Sequence, residues 1–179
     1  MSKIAAFIFK LFGWKIVGEL PDFKKFVIIG APHTSNWDFF IGRLYFFIYK
    51  IPVQFFIKKE WFFFPMNLLL RVLGAIPVNR AKNTRLTEEI VKTFREREEL
   101  VMLVTPEGTR KYVPEWKKGF YYIALSAKVP IVMGYVDYST KTAGIGPYLY
   151  PSGNIEEDMK TIMDFYRTKK GRFPENGVR

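Results

Sequence analysis

The sequence predicts an α/β fold: a single domain in which a mostly parallel sheet is flanked by helices. Short apolar runs of strand length alternate with longer segments of helical periodicity along the chain, and that alternation builds βαβ units with parallel strands. The length of 179 residues suits one domain, with a core large enough to need no covalent staples. No internal repeat, linker or low-complexity tract divides the chain. The domain is expected over residues 1–170, with residues 171–179, GRFPENGVR, as a flexible tail.

The first element is residues 1–15, MSKIAAFIFKLFGWK, where Ile4, Phe7, Ile8, Leu11 and Phe12 recur at helical spacing and Lys3, Lys10 and Lys15 flank them. This is the pattern of a short interfacial helix on an anionic membrane surface. Packing of the same helix on its own domain is the alternative. No small-residue cleavage site follows a long apolar core, so the segment does not read as a secretory signal. Residues 26–30 (FVIIG) form a buried strand. A helix follows from Ser35 to about residue 50, opened by a Ser-x-x-Asp capping box in which Asp38 reaches back.

A second strand is expected at residues 53–58, a short helix at 65–73 and a third strand at 75–79 that ends at Arg80. Residues 84–98 are amphipathic, with Leu86, Ile90 and Phe94 at four-residue spacing and a solvated face of Arg and Glu. Residues 100–104 are a fully apolar strand, followed by the loop TPEGTRKYVPEWKKG. A helix at 119–128, strands at 131–137 and near 146–150, and a last helix at 154–169 complete the order.

Composition removes several chemistries. Without cysteine there is no disulfide, thiolate nucleophile or zinc–thiolate site, and a single histidine excludes a multi-histidine metal site. What remains is one imidazole, carboxylates, hydroxyls, amides and many cations. The net charge of +11 favours an anionic partner, whether nucleic acid, membrane surface or phosphorylated small molecule. Thirteen of the 32 aromatic residues lie between Trp37 and Phe64, interleaved with Arg43, Lys50, Lys58 and Lys59. Single-stranded nucleic acid is bound by such interleaving, but Phe predominates and runs together as FFF at 62–64, which favours acyl chain or lipid over bases. The uncharged apolar runs fall short of the roughly 20 residues that span a bilayer.

His33 is the only histidine, and Asp38 stands five residues on. On one continuous helix five residues turn through about 500°, leaving the two side chains about 140° apart. They meet only if His33 lies in the strand-to-helix loop and Asp38 in the first helical turn. The carboxylate then fixes one ring nitrogen and leaves the other as a base. Ligands in open α/β sheets sit beyond the carboxyl ends of strands. His33, Arg80 and the group Glu107, Gly108, Thr109 and Arg110 each follow a strand, so the topology brings them to one edge.

The blocks HTSNWD (33–38), GAIPVNR (74–80), PEGTR (106–110) and VPIVMGYV (129–136), in this order, resemble the glycerophospholipid acyltransferase family, which includes 1-acylglycerol-3-phosphate acyltransferases. The resemblance covers about residues 25–140. It implies an acyltransferase domain that moves a fatty acyl group from acyl-CoA or acyl-carrier protein to a hydroxyl of a lysophospholipid, 1-acylglycerol-3-phosphate first among them, in phospholipid synthesis. The thioester is a substrate; no cofactor and no metal are implied. On this resemblance His33 would be the general base and Asp38 its orienting partner, without an enzyme nucleophile. Arg80 meets the acceptor phosphate, Glu107 and Gly108 belong to the acceptor-binding block, and Thr109 and Arg110 stand beside them. Lys111, Lys117 and Lys118 extend the anionic subsite or face solvent. Pro130 and its strand belong to the donor side or the core. Pro32, where relatives commonly have asparagine, and Met133, where proline is common, depart from the pattern. The implied location is the cytoplasmic face of a membrane, held peripherally, with lysophospholipid, acyl thioester and anionic surface as partners and no nucleic acid.

Two other classes compete. A serine hydrolase needs a GxSxG elbow, and Ser126 in ALSAK lacks both glycines. Acylation of a different lipid acceptor, or a non-catalytic protein that binds anionic membrane or nucleic acid, is the other alternative.

Overall fold

A computed structural model describes residues 2–19, 21–78 and 83–179. Its elements are α1 (Ser2–Leu11), β1 (Lys15–Val17), β2 (Lys25–Ala31), α2 (Asn36–Tyr49), β3 (Val53–Lys58), α3 (Met66–Val72), β4 (Ala75–Val78), α4 (Asn83–Glu96), β5 (Leu100–Val104), α5 (Gly119–Ala127), β6 (Ile131–Asp137), β7 (Thr142–Leu149) and α6 (Ile155–Arg167). The strands form a seven-stranded sheet in the order β1-β7-β6-β2-β5-β3-β4. All neighbouring pairs are parallel except β6 with β7.

The two-residue period of the strands sorts the core into two layers. Val27 and Ile29 of β2 face one way and join Phe94 of α4, Phe120 of α5 and Ile162 of α6. Phe26 and Ile28 face the other way and join Phe9 of α1 and Ile41, Tyr45 and Phe46 of α2. The result is a helix–sheet–helix sandwich. Phe94, at 1% exposure, contributes about 1.5–3 kcal/mol by burial alone. The edge strand β4 carries Pro77, tolerable there because an edge need not donate.

Between β3 and β5 only Val53↔Val101 and Gln54↔Met102 are paired, after which β3 pairs with β4 alone. The sheet therefore parts toward the carboxyl ends of these strands. A cavity of about 1030 Å³ occupies this part of the fold, lined by Phe39, Phe46, Phe55, Phe56, Ile90 and Phe120 among others.

Three features differ from expectation. β1 is too short, at three residues, to carry a periodicity. β7 begins at Thr142, earlier than expected, because Gly144, Gly146 and Pro147 punctuate TAGIGPYL like a turn. Those glycines instead allow close approach: a Cβ on Gly144 would lie 2.0 Å from the Val17 carbonyl oxygen, and one on Gly146 2.3 Å from the Phe165 ring. Residues 171–179, expected to be a flexible tail, pack back on the domain. Gly171 is buried, and a Cβ there would meet the Thr34 side chain at 2.6 Å. The Phe173 amide donates to Thr34 Oγ1 at 3.2 Å. The expected end of the third strand at Asn79, with Arg80, lies outside the described residues.

Candidate active site

β2 ends at Ala31, and the chain crosses to α2 through Pro32, His33, Thr34 and the N-cap Ser35; the Ala31–Pro32 peptide is cis. The capping box is present: Ser35 Oγ accepts from the Trp37 amide at 3.2 Å. Asp38 Oδ2 accepts the amides of Thr34 and Ser35, each at 2.8 Å. His33 Nδ1 lies 3.3 Å from the same oxygen. The imidazole thus folds back over the carboxylate because the cap turns Asp38 toward it. Asp38 is also at the positive end of the helix dipole, which suits its charge.

β5 pairs with β2 in parallel, so the loop after Val104 emerges beside His33. Glu107 Oε1 accepts the His33 backbone N–H at 2.9 Å. Its Oε2 is buried with no hydrogen-bond partner among the described residues, and burial pushes the Glu107 carboxyl above its ordinary range, only partly offset by the His33 amide. Glu107 is absent from the cavity lining, whereas His33, Asp38, Gly108, Thr109 and Arg110 are all part of it. Glu107, expected in the acceptor-binding block, thereby holds the backbone of the loop between β2 and α2. Gly108 has φ +65°, and the Lys117 amine sits so close above it that a Cβ would lie 2.7 Å from Nζ. Lys117 also lines the cavity, and Arg110 donates to Asn36 Oδ1.

The other expected residues divide. Lys111 and Lys118 are exposed and do not line the cavity. Pro130 precedes β6, and Met133 is 1% exposed in the core. Because β6 runs parallel to β2, Pro130 lies at the edge of the sheet opposite His33. Arg80 is outside the described residues.

Tyr138, just past β6, was not singled out from sequence. Its hydroxyl donates to Asp38 Oδ1 at 2.8 Å. Burial first, and this bond second, push the Tyr138 pKa well up, so it stays a donor. The C-terminal segment supplies a further wall. Arg172 lies 5.6 Å from the Trp37 ring centroid, and a cleft of about 550 Å³ opens between Thr34, Asn36, Arg110, Arg172 and Asn176.

A family model described as Acyltransferase matches residues 17–136. The chain belongs to the acyltransferase family. Its fold is similar to the crystal structure of the 1-acyl-sn-glycerophosphate (LPA) acyltransferase PlsC from Thermotoga maritima, at TM-score 0.65 and 21% identity, covering 92% of this chain and 74% of that one. At that identity the likeness establishes the fold. No curated protein matches the acyltransferase by sequence. The family match includes the loops after β2 and β5 and stops short of Tyr138 and the C-terminal segment.

Proposed function

We propose that this acyltransferase moves a fatty acyl group from an acyl-CoA or acyl-carrier-protein thioester to the hydroxyl of a lysophospholipid, with 1-acylglycerol-3-phosphate the leading acceptor, in phospholipid synthesis. The observation that carries the proposal is the His33–Asp38 pair in the wall of an apolar cavity of about 1030 Å³ that also carries Arg110 and Lys117. Acyl chain, anionic group and base thereby meet in one place.

With Nδ1 committed to Asp38, Nε2 takes the proton of the acceptor hydroxyl as its oxygen attacks the thioester carbonyl. The tetrahedral oxyanion collapses by expelling a thiolate, whose parent thiol has a pKa of about 8.5, so no strong acid is demanded. Arg110 and Lys117 supply positive charge for the acceptor phosphate, a role that Arg80 shares by family analogy. The test is mass spectrometry of products from a lysolipid panel with both thioester donors, using His33→Ala as the blank. A phosphorylated acceptor acylated by the native chain alone is expected; no His33-dependent product from any lysolipid overturns the reading.

Peripheral attachment to an anionic membrane, at its cytoplasmic face, is part of the proposal, and the exposed apolar surface supports the attachment. No described helix is long and apolar enough to cross a membrane. α1 buries Ala5 and Phe9 in the domain but exposes Ile4, Phe7 and Leu11, and Phe12 follows just past its end, each of the four at 65–69%. Phe64, Leu68, Leu69 and Val72 around α3 add further exposed apolar surface. A face that packs on one side and presents large apolar groups on the other suits an interface, where nearby cations add about 1 kcal/mol each. Replacing Phe7 and Leu11 by serine spares the buried positions. It is expected to weaken sedimentation with anionic vesicles by roughly tenfold or more, since each side chain forgoes about 1.5–3 kcal/mol of burial. Unchanged sedimentation would remove α1 from that role.

A further inference from the structure

Asp38 has more partners than a helix cap requires. Oδ2 is occupied by the Thr34 and Ser35 amides and by His33. Among the described residues, Oδ1 has one partner, the Tyr138 hydroxyl at 2.8 Å, brought from 100 positions along the chain. Asp38 is 8% exposed, so little water is at hand to replace that donor. A buried carboxylate oxygen left bare carries the full desolvation cost.

We propose that Tyr138 is a positioning residue for acyl transfer, its hydroxyl pinning Oδ1 so that the carboxylate plane of Asp38 holds the His33 imidazole in its working orientation. The proposal rests on the roles assigned above to His33 and Asp38. The backbone and the imidazole hold Oδ2, and the Tyr138 bond at Oδ1 adds a second anchor on the opposite oxygen against rotation about the Cβ–Cγ bond.

Both ends of the chain hold the tyrosine in place. Trp14, just past α1, meets the Tyr138 ring edge-on, with centroids 5.0 Å apart and planes at 87°. The Tyr138 amide donates to the Lys170 carbonyl at 2.9 Å, and the Lys170 amide lies 3.4 Å from Asp137 Oδ1. Arg172, two residues on, acts on the phenol and lies over Trp37. The segment that sequence reads as a frayed end is thus the brace of the residue that braces Asp38.

Tyr138→Phe keeps the ring contact with Trp14 and removes one oxygen. We expect kcat to fall about tenfold to a hundredfold, the span of one hydrogen bond to a charged group, while KM for donor and acceptor stays within about twofold, since Tyr138 does not line the cavity.

Because His33 is the only histidine, its imidazole nitrogens can be read by 15N NMR without assignment. The native chain should show one dominant tautomer, protonated on Nδ1, and Tyr138→Phe a mixture of both. Thermal denaturation shows whether the variant is folded. Should it not fold, Trp14→Leu, which loosens the tyrosine without touching Asp38, is expected to change the same readouts to a smaller degree. A kcat within twofold of native, or an unaltered imidazole spectrum, overturns the proposal. The NMR comparison needs no turnover, so a chain inactive on every lysolipid would refute the proposed function and leave this test standing.

Discussion

Replacing His33 by alanine is expected to lower kcat about 10²- to 10⁴-fold, the contribution of a positioned general base. Folding should survive, because the imidazole is 23% exposed and its backbone amide, which Glu107 holds, is retained. Asp38→Asn should also lose kcat heavily, since the amide either puts its nitrogen at the Oδ2 position, against the Thr34 and Ser35 amides and His33 Nδ1 together, or keeps there a neutral, weaker acceptor while its nitrogen faces the Tyr138 hydroxyl. Unlike His33→Ala it also carries a stability cost of about 1 kcal/mol, because Oδ2 serves the helix cap and the imidazole at once. The pair of variants therefore separates chemistry from folding: thermal midpoint moves in one, turnover collapses in both. Steady-state kinetics and a melting curve on each suffice. Full turnover in His33→Ala would remove the imidazole from the mechanism, and an unchanged midpoint in Asp38→Asn would remove the capping role.

What the sequence revealed of this site follows from the range of the interactions. The His33–Ser35–Asp38 arrangement is legible because it closes within six residues, and cap chemistry dictates where the carboxylate points. The alternation of strands and helices is equally local, and it places the loops after β2 and β5 on one edge. Tyr138 is illegible for the opposite reason: its bond to Asp38 spans 100 positions, and nothing in VDYST marks a tyrosine as inward-facing. The C-terminal segment misleads because Gly, Pro, Asn and charge describe a frayed end equally well. The fit of Gly171 against Thr34 and the Phe173 amide on Thr34 Oγ1 show otherwise. Glu107 is intermediate, its place beside the site readable and its direction not, since a loop carboxylate can face ligand or backbone with the same sequence.

That direction makes Glu107 the second decisive position. Oε1 accepts the His33 amide while Oε2 is buried bare, and burial raises the carboxyl pKa, with the charge of Asp38 adding to the rise. A raised folded-state pKa means that the native chain retains a proton which the unfolded chain has already released. Stability from this group is therefore present below the ordinary carboxylate pKa and lost as pH rises through the raised value. Above that window the ionised Glu107 is a standing cost. Glu107→Gln keeps a carbonyl to accept the His33 N–H and cannot titrate. Its melting temperature should exceed native at neutral pH by roughly 2–4 °C, the response to about 1 kcal/mol in a chain of this size, and the difference should vanish in acid. Subtracting the two curves isolates Glu107 from carboxylates shifted the other way, such as Asp137 and Asp164. Glu107→Ala instead strands the His33 amide, which costs about 1–3 kcal/mol and lets the catalytic loop drift, lowering kcat. If Glu107 braces the loop, the glutamine variant keeps both kcat and the acceptor KM near native. If it met an acceptor hydroxyl, that KM would rise in the glutamine variant as well, and the bracing role would fall.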